Sequence, residues 1–196
     1  MGRRDDRSQS EWVEEAARLI CDEGYTDYRL ARAKAAERLG LRARGGGPEP
    51  SRIEAAVIAR QELFGGEAYH AHLRAMRQTA VRVMKLLERF DPRLAGGAVS
   101  GAVGNRHRVQ IHVVSDRPES VEIFLLDRQI DVEQDERRYR LADGRDSLIS
   151  LCRFDADDIG VEVAIFEPGS ERHPPLSAVD GKPSKRLTIE QVQALL

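Results

Sequence analysis

Apolar positions along this chain change their period near residue 90. Before that point they recur at intervals of three and four. Trp12, Ala16, Leu19 and Ile20 form one stripe from Glu11 that stops at Gly24, which predicts a first helix with a glycine at its C-terminal end. Thr26 or Asp27 caps a second helix running from about Tyr28 to Leu41. Gly45 to Pro50 reads GGGPEP, a composition that breaks both helices and strands and marks a linker. Ser51 and Glu54 form the S-x-x-E pattern of a capping box and open a third helix through Phe64, which Gly65-Gly66 ends. Leu73, Met76, Ala80, Val83, Met84 and Leu87 then make the buried stripe of a long helix over about Ala68 to Phe90. The first ten residues, dense in charge, are expected to be a disordered leader.

Past residue 90 the period shortens to two. Ile111 to Asp116, IHVVSD, alternates as a half-buried strand does. Pro118 to Leu126 reads as a helix with Val121, Phe124 and Leu125 on one face and Pro118 near its first turn. Strands follow at about Ile130–Leu141, Leu148–Phe154 and Val161–Phe166, joined by turns at Asp143-Gly144 and Asp157-Asp158. His173 to Pro183, HPPLSAVDGKP, is an irregular loop, and a short helix covers Thr188–Leu196. Helices come first and strands later, so the expected class is α+β rather than a repeated βαβ unit. The organisation is a leader over 1–10, a helical region over 11–66 with its linker near 45–50, and an α+β domain with a small mixed sheet over 67–196.

Composition narrows the partners. Charged residues make up 33% of the 196 residues and aromatics only 5%, so the core must be built from Leu, Val, Ile and Ala. A net charge of −2 argues against bulk coating of nucleic acid or attraction to a membrane surface. Cys21 and Cys152 lie far apart with no CxxC pairing, which sets aside a cysteine zinc site and a disulfide framework. No stretch approaches the roughly 18 apolar residues of a membrane span. The start, MGRRDDRSQSE, has no apolar signal core, and Asp6 stands where a myristoylation signal needs Ser or Thr. A cytoplasmic protein without a membrane partner is expected.

Between Leu94 and Asp116 the chain reads LAGGAVSGAVGNRHRVQIHVVSD, a small-residue loop running into a strand. The segment resembles the signature of the polymerase-beta-like nucleotidyltransferase superfamily, in which a strand ends in Gly-Ser, a helical turn follows, and a Gly precedes a strand opening Asp-x-Asp. Gly96-Gly97 stand in the Gly-Ser place, Gly101 matches the later Gly, and Arg108-Val109-Gln110 open the strand. The resemblance covers roughly residues 70 to 167. With IFLLDRQI and PPLSAVDGKP included, the chain is also similar to a group of uncharacterised bacterial proteins of this fold, which brings no established activity with it.

The resemblance implies a nucleotidyltransferase-like domain with a degenerate active site. In active members the glycine loop grips the triphosphate through backbone N–H groups, and two aspartates bind divalent metals. Those aspartates lie two apart because alternate strand residues share a face. Mg²⁺ needs hard anionic oxygens, and Arg108 and Gln110 supply a cation and a neutral amide. Glu162, in VEVAIFE, matches a third carboxylate, with Glu167 as a weaker candidate. Arg108 instead offers bidentate contacts to phosphate oxygens. The expected site is therefore Gly96, Gly97, Ser100, Gly101, Arg108, Gln110 and Glu162. It is expected to bind a nucleotide, a phosphate or a protein partner without catalysis. One alternative is an active, Mg²⁺-dependent enzyme using Glu162 with Asp116 or Glu167. Another is that the small residues merely allow tight helix–sheet packing.

A second class of function rests on Tyr28 to Arg44, YRLARAKAAERLGLRAR, which carries six Lys/Arg and one acid, Glu37. With the turn at Gly24 it fits a helix-turn-helix whose Arg29, Arg32, Arg38 and Arg42 meet nucleic-acid phosphates. A solvated face with arginines paired to nearby acids is the competing reading. His70 and His72 sit two apart on a helix and do not share a metal. His107 and His112 lie on opposite strand faces by parity, with His107 expected in an exposed loop. Ser100 is either a phosphate contact or a turn hydroxyl. The loop around Asp180-Gly181, followed by Lys182, Lys185 and Arg186, either closes over the glycine loop or wraps the sheet edge, and an open edge favours wrapping.

Overall fold

A computed structural model describes residues 2–41, 47–170 and 172–196, the stretch 2–7 as backbone alone. Arg42 and the first two glycines of the linker, Gly45 and Gly46, lie outside the described residues. The chain forms two compact units. One comprises Met1–Ala71, Gly101–His107 and Ala178–Asp180; the other comprises His72–Ser100, Arg108–Ser177 and Gly181–Leu196.

The first unit is helical. It contains α1 (Gly2–Asp22), α2 (Tyr28–Arg38), α3 (Pro50–Arg60) and a π-helical turn at Gln61–Gly65, after which α4 begins. The predicted disordered leader is instead the first half of α1. Its residues include no proline, and a helix already anchored by a packed segment extends at little cost. The anchor is the stripe of Trp12, Ala16, Leu19 and Ile20, which meets Ala31, Ala35, Ala36, Ile53 and Val57 in one core. Gly24, at φ +76°, ends α1 as expected. Asp27 accepts the N–H groups of Arg29 and Leu30 and caps α2. The Ser51–Glu54 capping box does not form: Pro50 takes the first helical place, Glu49 precedes it, and no side chain caps the end. A proline with φ preset for a helix needs no donor there, so it moves Ser51 inside the helix. The glycine pair does not end the third helix cleanly either, because backbone hydrogen bonds lengthen into the π turn and Gly66, at φ +50°, restarts the helix as α4 (Gly66–Leu86).

The second unit is a five-stranded mixed sheet with short helices. Its strands are β1 (Arg93–Ala95), β2 (Val109–Val114), β3 (Glu133–Arg140), β4 (Asp146–Ala156) and β5 (Ile159–Phe166). They lie in the order β1-β2-β5-β4-β3; β2 and β5 are parallel and every other pair is antiparallel. The class is α+β. Between the strands run α5 (Gly97–Ser100) and α6 (Pro118–Leu126), and α7 (Ile189–Gln193) follows them. The strand predicted at Ile130–Leu141 starts later, as β3, because Gln129 turns at φ +60° and Ile130 N–H bonds back to Leu125 to close α6. Asp157 and Asp158, at φ +51° and +63°, make the tight β4–β5 hairpin.

Parity divides the sheet into two faces. Val109, Ile111, Val113, Val161, Val163 and Ile165 are buried on one, where α6 packs on β5. On the other, Leu141, Ile149, Leu151, Ala164 and Phe166 form a second apolar cluster with Tyr139 against it. The C-terminal segment borders both edges of the sheet. Leu176 N–H bonds to the Arg140 carbonyl, and Leu187 exchanges two hydrogen bonds of 2.9 Å with Leu94 on the outer side of β1. Thr188 and Gln191 form a complete capping box on α7. No helix among the described residues is long and apolar enough to cross a membrane.

Candidate functional site

Strand register creates the site. The parallel pairing of β2 with β5 sets Gln110 beside Glu162, and β4 sets Arg153 on the other side of Glu162. Ala95 of β1 flanks Gln110. These residues share the face that carries His112 and Phe166, since each strand exposes alternate residues to one side. Arg137 reaches the same point from β3. Its two terminal nitrogens donate to the two oxygens of Glu162 at 2.6 and 2.7 Å, and Arg153 Nε adds a third bond at 3.0 Å. The Glu162 residue is only 4% exposed. Arg153 also pairs with Asp135 at 2.6 Å.

The electrostatics follow from this network. Desolvation works against the Arg137 cation, yet Tyr139 and Glu162 hold its pKa above the ordinary arginine value. Burial raises the Tyr139 phenol above its usual range. The Glu136 backbone N–H, and then Arg153, hold Asp135 below the usual aspartate value. His112 packs between Tyr139 and Phe166, with ring centroids at 6.0 and 4.8 Å. Its Nδ1 is buried without a hydrogen-bond partner. Burial, with the Arg186 and Arg137 cations, drives its pKa down to about 3. It is a neutral core histidine.

The glycine loop divides between the two units. Gly96, at φ +71°, runs directly against the Gln110 amide, so a Cβ there would collide with Gln110 Oε1. Gly97 opens the single turn of α5, and Ser100 closes it. Gly101 belongs to the helical unit, where its carbonyl accepts from the Tyr69 hydroxyl at 2.9 Å. Gly104 packs on the Ile20 carbonyl and donates its N–H to His107 Nδ1 at 2.8 Å. Gly96 and Gly104 therefore meet close packing directly.

Arg108 lies along Gly160, where its guanidinium leaves no space for a Cβ. It pairs with Asp155 at 3.3 Å and donates to the Phe154 carbonyl at 3.4 Å. The fold thus gathers Gly96, Gln110 and Glu162, and directs Arg108 toward the β4–β5 hairpin. Sequence reasoning missed Arg137, Arg153 and Asp135. Their only signal was the alternation of charge along EQDERRYR and the lone cation in LCRF, and neither reveals a register.

The remaining candidates have structural partners or stand apart. Among the described residues no three His, Cys, Asp or Glu side chains are grouped to hold a metal ion. Asp116 and Glu167 are exposed. Cys21 and Cys152 are buried free thiols that burial pushes to about 11. His70 faces Glu62 at 3.4 Å. In the helical unit Arg38 is clasped by Glu15 and Glu23, Arg32 donates to the Pro48 carbonyl, and Arg29 sits 3.5 Å from Asp27. The contacts of Arg38 and Arg29 match the arrangement of arginines paired to nearby acids. Comparison of the chain with known protein families, with curated proteins and with solved structures found no match.

Proposed function

We propose that this protein is a nucleotidyltransferase-like binder with a degenerate site, which holds a nucleotide or another phosphate-bearing ligand without divalent metal and without transfer chemistry. The observation that carries the proposal is the state of Glu162. This acid, matched to the third metal-binding carboxylate, already accepts three hydrogen bonds from two guanidinium groups. Its neighbour in register is the neutral Gln110. A divalent cation at this point would meet one neutralised carboxylate and several positive charges, which opposes binding. Phosphate oxygens would meet donors instead: Arg108 and Arg137 keep 36% and 40% of their side chains exposed, and guanidinium forks suit phosphate geometry.

Thermal stability of the full chain against a nucleotide panel, each with Mg²⁺ and with EDTA, tests this. A ligand at about 100 times its dissociation constant adds roughly 2.7 kcal/mol of stability, which moves the melting point measurably. The expected result is a shift that survives EDTA and is lost in Arg108→Glu. A shift that requires Mg²⁺ and yields a transfer product would restore the catalytic alternative. Absence of any shift would remove nucleotides and leave the loop as packing.

A further inference from the structure

The edge strand β3 is charged in an ordered way. Its sequence is EQDERRYR, acidic in its first half and basic in its second, with no proline, glycine or bulge along its eight residues. β4 covers one side of it; among the described residues no strand covers the other, and only its C-terminal end is met there, by the bridge of Leu141 to Pro175. Backbone alternation tells which residues face outward. Leu141 N–H bonds across the hairpin to Arg145, so the odd-numbered residues of β3 turn their backbone groups to β4 and the even-numbered ones turn theirs away. The Arg140 carbonyl obeys this rule, since Leu176 takes it from outside. Gln134, Glu136 and Arg138 are left with outward backbone groups, and the Glu136 N–H makes do with the Asp135 carboxylate at 2.8 Å.

Two of the side chains at these positions are also unsatisfied, while the Gln134 amide donates to Glu122 of α6. Among the described residues Glu136 and Arg138 are exposed and have no side-chain ion pair or hydrogen bond. Beside them Glu119 and Glu122 of α6, with Gln134 and Glu136, line a cavity of about 590 Å³. An acidic recess and an arginine without a side-chain partner thus share one face of one strand.

We propose that the free edge of β3 pairs antiparallel with β3 of a second copy of this chain. A two-fold axis normal to the sheet keeps each face on its own side, so paired positions must have the same parity. Two registers keep the middle of the strand paired. Centred on Glu136, the dimer sets Glu136 against itself with no cation of its own, and faces Asp135 with Arg137, which Arg153 and Glu162 already neutralise within each copy. Centred on Arg137, it sets Glu136 opposite Arg138 twice; the two Arg137 that face each other stay neutralised by their own Glu162, and the Arg140 end of the edge stays with Leu176. Opposite charges on directly facing residues stabilise such a pair and like charges destabilise it, so the Arg137-centred register is selected. Each Arg138 then enters the acidic recess of the other copy, and the outward backbone groups of Glu136 and Arg138 find strand partners. Strand pairing of this kind needs no bound phosphate.

Sedimentation equilibrium of the full chain from about 1 to 200 μM, a range spanning micromolar association, tests the proposal. The wild type should show a monomer–dimer equilibrium that weakens with added salt. Glu136→Arg and Arg138→Glu should each weaken the dimer at least tenfold, and the double variant E136R/R138E should restore it, because the facing charges are exchanged. A chain that stays monomeric throughout, single variants that dimerise like the wild type, or a double variant that does not recover would each overturn it. Amide exchange supplies a check that needs no variant. Protection of Glu136 and Arg138 N–H groups should rise with protein concentration, and protection independent of concentration would also overturn the proposal.

Discussion

The two units solve the same packing problem with different side chains. In the helical unit the contacts between helices are made largely by alanines: Ala16, Ala17, Ala31, Ala35, Ala36 and Ala102 surround Trp12, Leu19 and Ile20. Its charges stay at the surface, where Arg18 and Arg38 clasp Glu15 and Glu23. In the sheet unit large side chains such as Leu151 and Phe166 fill the space, and one charge, Glu162, is buried among arginines. Small residues let helix backbones approach closely and leave little volume to lose. A sheet keeps its layers about 10 Å apart, so it needs long side chains and tolerates a buried ion only when that ion is fully paired.

Opposite kinds of substitution should therefore break the two units. Phe166→Ala removes a large, fully buried ring from the sheet unit and should destabilise it by about 3–5 kcal/mol. The corresponding injury to the helical unit is an addition: Ala35→Leu forces a branched side chain into a contact with no exposure and should cost about 1–3 kcal/mol. Urea unfolding of each variant measures both. If Ala35→Leu proves neutral, the helical unit is less tightly packed than its alanines imply.

The charge contrast is tested next. Glu162→Ala leaves Arg137 and Arg153 facing each other without their shared anion. Losing one partner of a buried pair costs about 3–5 kcal/mol; Arg137 is 40% exposed, so about 2 kcal/mol is expected, read from the shift in urea midpoint. Exchange of Glu162 for Gln keeps the shape and lowers stability less.

The pH dependence separates the units as well. His112 titrates near 6.5 when unfolded and at about 3 when folded. The unfolded chain binds the extra proton first, so this contribution is complete above about pH 6.5 and falls away toward pH 3, with a slope of up to about 1.4 kcal/mol per pH unit. Glu15, held down to about 2 mainly by its hydrogen bond from Arg18, contributes stability that is present above about 4.5 and lost as pH falls toward 2. Acid should weaken the sheet unit first. Stability curves from pH 7 to pH 3 for the wild type and His112→Leu check this, since the variant should lose the slope between 6.5 and 4.5.

Much of the fold was legible from local pattern. The stripe of Trp12, Leu19 and Ile20, the cap at Asp27, the stop at Gly24 and the turn at Asp157-Asp158 all depend on residues within a few positions of one another. The errors were local competitions. Pro50 displaced Ser51 from the cap, a charged but unbroken stretch extended α1, and the glycine pair at Gly65-Gly66 opened a π turn where a stop was expected. Part of the candidate site was legible too, because Gln110 and Glu162 lie on segments with strand character and Gly96 lies in a loop marked by its small residues.

By itself the sequence determined periods, turns and caps, because these are set by short-range sterics and hydrogen bonding that any window of a dozen residues contains. Tertiary structure alone decided what those residues do together. Arg137 lies 25 positions from Glu162, and only the pairing of β3 with β4 and of β4 with β5 brings them within 2.6 Å. The same registers leave Glu136 and Arg138 on an uncovered edge and turn Arg108 toward Asp155. A shift of one residue in any ladder would send each of these charges to the other face, and nothing in the composition of the strands chooses between those outcomes.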